Sequence, residues 1–328
     1  MFLRLRSLAL LASVITFASL PAHASEKLDV VATFSVLADF ARVVGGDRVE
    51  VSTLIGPDGD AHAYEPKPAD ARAMASADVI LVNGLHFEGF LDRLVETSGT
   101  KAPVAVLTKG ITPIDITDDA HAHEGEHAHE EGEHAHEAAE ASGGGHDHHD
   151  HGDQDPHAFQ SLPNAKIYVR NVADAFCTAD AAGCDTFRAN ASAYEAELDK
   201  LDAQVRADVA AIPEASRTII TSHDAFGYFA REYGLTFLAP EGLSTEAEPS
   251  AADVAKLISE VREDKAGAVF MENITNPRLL EQIASETGLK MGGTLYSDAL
   301  SGPDGPAATY LDMVRHNIAT IKSAINGS

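Results

Sequence analysis

His223 lies in Thr218-Ile-Ile-Thr-Ser-His223-Asp-Ala-Phe-Gly-Tyr-Phe229, at the end of a short β-branched run that reads as a buried strand. Asp224-Ala225-Phe226 then reads as the first turn of a helix. A histidine at the carboxyl end of a strand in an α/β fold points into the crevice where such folds bind ligands. A single histidine placed this way would more often cap the next helix. Three further positions shift that balance. His62 sits in Gly56-Pro-Asp-Gly-Asp-Ala-His62-Ala-Tyr-Glu-Pro66, a loop shaped by Gly and Pro just past a predicted strand. His157 sits in Asp155-Pro-His157-Ala-Phe, and Asp298 in Leu295-Tyr-Ser-Asp298-Ala-Leu after the last predicted strand. Three neutral nitrogen donors and one carboxylate form a set suited to Zn²⁺.

The remaining histidines divide into two kinds. His121, His123, His127, His129, His134, His136, His146, His148, His149 and His151 fall in residues 118–155, which hold thirteen Asp and Glu and no Lys or Arg. Apolar residues larger than Ala are absent there, so burial cannot offset the entropy of ordering, and the tract is expected to be a disordered loop of weak, dispersed metal sites. His123-Glu-Gly-Glu-His127 matches the metalloprotease pattern only formally, because that motif needs a helix in an ordered cleft with a third ligand. His86 and His316 read as surface or packing residues. Glu241, Glu246 and Glu248 line a predicted loop from Pro240 to Pro249 and are candidates for contacts behind the ligands.

The elements that must position these groups follow from periodicity. Residues 28–34, 49–55, 79–83 and 104–107 read as strands, with helical spacing near 36–44, 67–76 and 87–98. The second half repeats this: strands at 218–221, 235–238, 268–271 and 289–295, helices near 224–233, 249–263, 276–287 and 306–324. Continuous apolar strands separated by helices indicate parallel sheets covered on both faces. Phe187, Ala191, Tyr194, Leu198, Leu201, Val205, Val209 and Ile212 recur every three or four residues up to Pro213. That stripe predicts one long amphipathic helix of about 40 Å. The chain therefore divides into an amino-terminal α/β lobe over 25–184, a rigid linking helix over 185–213 and a second α/β lobe over 214–328. Two ligands come from each lobe, so a bound cation would bridge them.

Residues 1–24 read as a secretory signal: Arg4 and Arg6, an apolar core from Leu8 to Leu20, and Ala22-His23-Ala24 as the cleavage site. No Cys follows, which speaks against a lipid anchor. The mature chain is expected to be soluble, periplasmic and monomeric. In that oxidising compartment Cys177 and Cys184 are expected to form a disulfide across a tight turn. The formal charge of −27, or −14 once residues 118–155 are set aside, excludes nucleic acid as a partner and suits a cation.

In this order, Asp60-Ala-His62-Ala-Tyr-Glu-Pro, Asp155-Pro-His157, Ser222-His223-Asp-Ala-Phe-Gly-Tyr-Phe and Tyr296-Ser-Asp298 resemble the motifs of the cluster A-I metal-binding subunits of bacterial ABC importers, most of all the zinc branch typified by ZnuA and AztC. The resemblance spans nearly the whole mature chain. It implies two α/β lobes joined by a long helix, metal in the cleft, and a His-rich acidic loop near the site. Manganese members tend to carry Glu where this chain has His223, so the resemblance implies zinc, with Asp298 the ligand that varies most among members. The implied partner is the cognate ABC permease, and a periplasmic zinc metallochaperone is a candidate donor. An extracytoplasmic zinc buffer or metal-dependent adhesin is the alternative. A metallohydrolase would need an open coordination position that four protein ligands do not leave.

Overall fold

The structure, a computed structural model, describes residues 27–116, 154–264 and 266–327. The signal segment and the histidines from His121 to His151 lie outside the described residues. The first run of elements is β1 (Leu28–Phe34), α1 (Ser35–Gly45), β2 (Val49–Ile55), α2 (Pro68–Ser76), β3 (Val79–Val82), α3 (Leu91–Ser98) and β4 (Val104–Val106). Two longer helices follow, α4 (Leu162–Ala179) and α5 (Cys184–Ala210). The second run is β5 (Thr218–Ile220), α6 (Gly227–Tyr233), β6 (Thr236–Leu238), α7 (Ala251–Asp264), β7 (Ala268–Glu272), α8 (Arg278–Thr287) and β8 (Met291–Leu295), closed by α9 (Tyr310–Asn326).

The strands form two four-stranded sheets of order β2-β1-β3-β4 and β6-β5-β7-β8, parallel throughout. Val30 aligns with Val51 on one side and Val79 on the other, and Ile219 with Phe237 and Ala268. The central strands need apolar residues on both faces because helices cover both. Val79-Ile-Leu-Val82 is buried at all four positions. The edge strand β4, by contrast, leaves Val104 and Val106 exposed. The β7–β8 ladder shifts register between Val269 and Met271. Opposite it lies Gly292, where a Cβ would fall 2.3 Å from the Phe270 ring, then Gly293 at φ +121°. The sheet order reverses beside β1 and β3 in the first lobe and beside β5 and β7 in the second. Loops at the carboxyl ends there form the crevice.

One apolar core runs from β1 and α1 through α4 and α5 to Phe226, Phe270 and the buried face of α9. A smaller core, including Ile220, Leu257, Val261, Val269 and Ile283, seals the α7–α8 side of the second sheet. The Cys177–Cys184 disulfide closes the turn between α4 and α5. Arg48 pairs with Asp180 in the same turn.

The elements differ from the sequence expectation in several places, among them α3, which starts at Leu91 rather than near 87. Asp224–Phe226 is not the first turn of α6, which starts at Gly227. Backbone bonds divert this segment, from Asp224 N to Gly242 O (3.0 Å) and from Ala225 N to His223 O (3.0 Å). Helix α9 begins at Tyr310 rather than near 306, where Thr309 accepts from Asp312 N as its cap. The α4 span was not assigned from sequence, although Leu162, Ala165, Tyr168, Val169, Val172 and Phe176 form a regular buried stripe behind a Ser161 cap.

Candidate metal centre

Each candidate histidine arrives on a loop held by a carboxylate. In Asp60-Ala-His62, Asp60 Oδ1 accepts from His62 N (2.9 Å) and Ala63 N (3.4 Å). Its other oxygen accepts from Thr245 Oγ1 (2.6 Å), in the loop after β6. Asp155-Pro-His157 repeats the turn, with His157 N donating to Asp155 Oδ1 at 2.9 Å. That same oxygen also lies 2.8 Å from His157 Nδ1. The preceding peptide is held by Asn83 Nδ2, which donates to Pro156 O (2.9 Å) while Tyr168 Oη donates to Asn83 Oδ1 (2.6 Å).

His223 depends on Glu272, at the end of the neighbouring strand β7. Glu272 Oε1 accepts from Ser222 N (2.7 Å) and His223 N (3.0 Å), and its Oε2 lies 2.6 Å from His223 Nδ1. Asp298 follows β8 in a segment tied to both halves. Gln160 Nε2 donates to Ser297 O, and Leu300 N donates to Ser35 Oγ (2.9 Å).

These loops bring the four candidate residues together. His62 Nε2 lies 3.3 Å from His157 Nε2 and 3.2 Å from Asp298 Oδ2. His223 Nε2 lies 3.1 Å from Asp298 Oδ2, and His157 Nε2 lies 3.7 Å from Asp298 Oδ1. One donor atom from each falls within 4.8 Å of the others. His157, His223 and Asp298 are fully buried, and the His62 side chain is 5% exposed. Phe87 packs edge-on against His62 and His157 and joins Phe34 and Phe159 in an aromatic wall.

The electrostatics are those of a carboxylate among imidazoles. Burial, the largest influence, pushes His62 below its ordinary range against the pull of Asp298. Burial also opposes the charge on His157, but Asp298 and Asp155 outweigh it and raise that group to about 9. For His223 burial is again outweighed, by Glu272 and Asp298, and the imidazole titrates well above its usual range. Burial would raise Asp298, yet His157 and His223 hold it well below the carboxylate range. The Nδ1 contacts of His157 and His223 with carboxylates leave each Nε2 facing the shared centre.

The other sequence candidates lie elsewhere. His86 is exposed. His316 lies on α9, its Nε2 3.0 Å from Thr294 O of β8. Of the three loop glutamates, Glu241 comes beside His223 through a backbone bridge, and burial pushes its half-buried carboxyl up to about 7. The ten histidines of the acidic tract lie outside the described residues. Glu272 and Phe87 were missed from sequence. Asp155 carried a legible signal, since Asp two residues before His occurs at both Asp60-Ala-His62 and Asp155-Pro-His157.

Two parallel α/β units with a buried His₃Asp cluster between their carboxyl ends define a metal-binding solute receptor of the ABC-importer class, cluster A-I. Residues 30–324 match the family described as zinc-uptake complex component A, periplasmic, and the chain belongs to that family. It is 33% identical over 307 residues to the manganese-binding lipoprotein MntA of Bacillus subtilis, covering 92% of this chain and 91% of that one. It is 32% identical over 301 residues to the iron-binding protein YfeA of Yersinia pestis, covering 92% of this chain and 87% of that one. Among solved structures, the periplasmic zinc-binding protein TroA of Treponema pallidum superposes with a TM-score of 0.76 at 28% identity, covering 91% of this chain and 99% of that one.

Proposed function

We propose that this protein is a high-affinity zinc receptor of the periplasm that captures Zn²⁺ and delivers it to the permease of an ABC importer. In this reading His62, His157, His223 and Asp298 are the ligands. The observation that carries it is the donor spacing. Tetrahedral zinc with bonds of about 2.0–2.1 Å requires donors about 3.3 Å apart; one donor from each residue lies within 4.8 Å of the others, and the closest contacts are 3.1 and 3.2 Å to Asp298 Oδ2, 3.3 Å between His62 and His157, and 3.7 Å to Asp298 Oδ1. Asp298 Oδ1 is buried without a hydrogen-bond partner, an arrangement a cation would relieve.

Relatives are named for iron, manganese and zinc, so the donor types must distinguish among them. Three imidazoles and one carboxylate suit borderline-soft Zn²⁺ better than Mn²⁺, which favours harder oxygen donors. Enclosure by four protein ligands favours holding a cargo over activating a water on it. The test is metal content after purification, followed by stripping and competitive refilling with Zn²⁺, Mn²⁺ and Fe²⁺. One equivalent of chelator-resistant zinc supports the reading; preferential retention of manganese or iron overturns it.

The histidines of residues 118–155 serve capture and transfer in this account. A chain of that composition gains little by fixing four donors, so each site is weak, while its carboxylates concentrate cations. Deleting residues 120–151 should preserve the tight site, remove additional weak equivalents and slow loading from scarce zinc or a zinc-carrying protein. Stopped-flow loading with equilibrium stoichiometry checks this. Loss of the tight site on deletion would move a primary ligand into the tract.

A further inference from the structure

Gly84, Leu85 and His86 are three consecutive residues at positive φ, 86°, 54° and 60°. Phe87 N closes the turn by donating to Gly84 O at 3.2 Å. In left-handed backbone the Cβ of an L-residue crowds the following carbonyl, so Leu and His stay there only where surrounding contacts hold them. Glu88 is the holding group. Its buried carboxylate accepts from Asn83 N (2.7 Å), Gly84 N (3.2 Å) and Thr33 Oγ1 (2.6 Å). Thr108 Oγ1 pins the start of the turn by donating to Asn83 O (2.7 Å).

The turn delivers Phe87. Its ring is buried with the residue 1% exposed, edge-on to His62 at 5.0 Å and 75° and to His157 at 5.7 Å and 83°. Phe34 at 4.8 Å and Phe159 at 5.5 Å back it. An apolar ring against two candidate ligands restrains their rotation. It also sets carbon, rather than a polar group, directly beside both imidazoles. Zinc is satisfied by four donors, whereas manganese prefers an expanded, oxygen-rich shell.

We propose that Phe87 is a positioning and specificity-determining residue, held by a strained left-handed turn so that it fixes the planes of His62 and His157 and denies the ion added water ligands. This rests on the metal-receptor reading of the same cluster. Cobalt(II) is a suitable probe, because its visible band is intense when four-coordinate and weak when water expands the shell. The full chain, Phe87→Ala and Phe87→Leu are compared by cobalt spectrum and by competition for Zn²⁺ and Mn²⁺. The unaltered protein should give the intense band. Phe87→Ala should weaken that band and lower the ratio of zinc to manganese affinity about tenfold, a size typical of lost support around a metal site. Phe87→Leu keeps an apolar but smaller side chain and decides the matter where the Ala variant does not fold, with the ratio lowered less than in Phe87→Ala. An intense band in the unaltered protein, with band and ratio unchanged in a folded variant, overturns the role of Phe87 alone. A weak, expanded-shell band in the unaltered protein overturns the four-coordinate zinc reading and the role of Phe87 together.

Discussion

His157 and His223 are each held by backbone and ring to one carboxylate, Asp155 and Glu272 respectively. This double hold sets where the imidazole sits and which nitrogen it presents. Removing the charge while keeping an acceptor separates those effects. Glu272→Gln and Asp155→Asn should each weaken zinc about 10–100-fold, with His223→Ala weakening it further; competition with a chromophoric chelator measures all three. The same carboxylates determine the response to pH. With His157 raised to about 9 and His223 raised as well, both imidazoles hold protons more tightly than usual in the metal-free protein. A cation must displace those protons, so affinity should climb with pH until about 9 and fall in acid. A chelator competition corrected for its own ionisation, run from pH 6 to 8, checks the sign, and a flat profile contradicts it. The three histidines and Asp298 were legible because each follows a strand or its loop. Glu272 was not, because it lies 49 residues from His223 and only the pairing of β5 with β7 brings them together.

At the scale of elements, periodicity found the strands and the long helix to within a few residues. It fails where tertiary bonds replace local ones. After His223 the chain bonds to the β6–α7 loop before α6 begins, so three residues with helical character are not helical. The left-handed turn at Gly84–His86 left no trace beyond its single glycine, because the turn is set by the bonds of Glu88 and of the distant Thr108 to Asn83 and Gly84. That imposition can be measured at His86, whose side chain is exposed. His86→Val places a β-branched residue at φ 60° and should cost about 1–2 kcal/mol. His86→Gly removes the Cβ conflict and should retain or raise stability, its gain limited by the greater entropy of the unfolded chain. Urea unfolding of the metal-free forms distinguishes them, and equal midpoints would show that the turn is unstrained.

Across the whole molecule, the amphipathic stripe of α5 was readable but its partners were not. Helix α5 packs against α1, α4, α6 and α9, and α9 also reaches back to α1. Tyr310 N donates to Asp39 Oδ2 (2.9 Å) and Tyr310 Oη to Phe159 O (2.6 Å). Tyr228 Oη donates to Asp155 O (2.9 Å), and Asp58 N to Leu300 O (2.9 Å). A hinge opening would break such bonds, each contributing about 0.5–1.5 kcal/mol, and expose a core continuous between the halves. The loops at the mouth are held by less: Thr245 reaches Asp60 through one side-chain bond, and Glu246 is exposed. With these four residues as the proposed ligands, removing the metal would take away the tie between His62 and His157 on one side and His223 and Asp298 on the other, but leave the core and these bonds intact. The metal-free protein should therefore keep its radius of gyration in small-angle scattering, while hydrogen exchange rises at residues 60–64, 155–157 and 240–250. Expansion on the scale of a hinge-closing receptor, with unchanged exchange in those loops, would mean that the metal, rather than the shared core, sets the relation between the lobes.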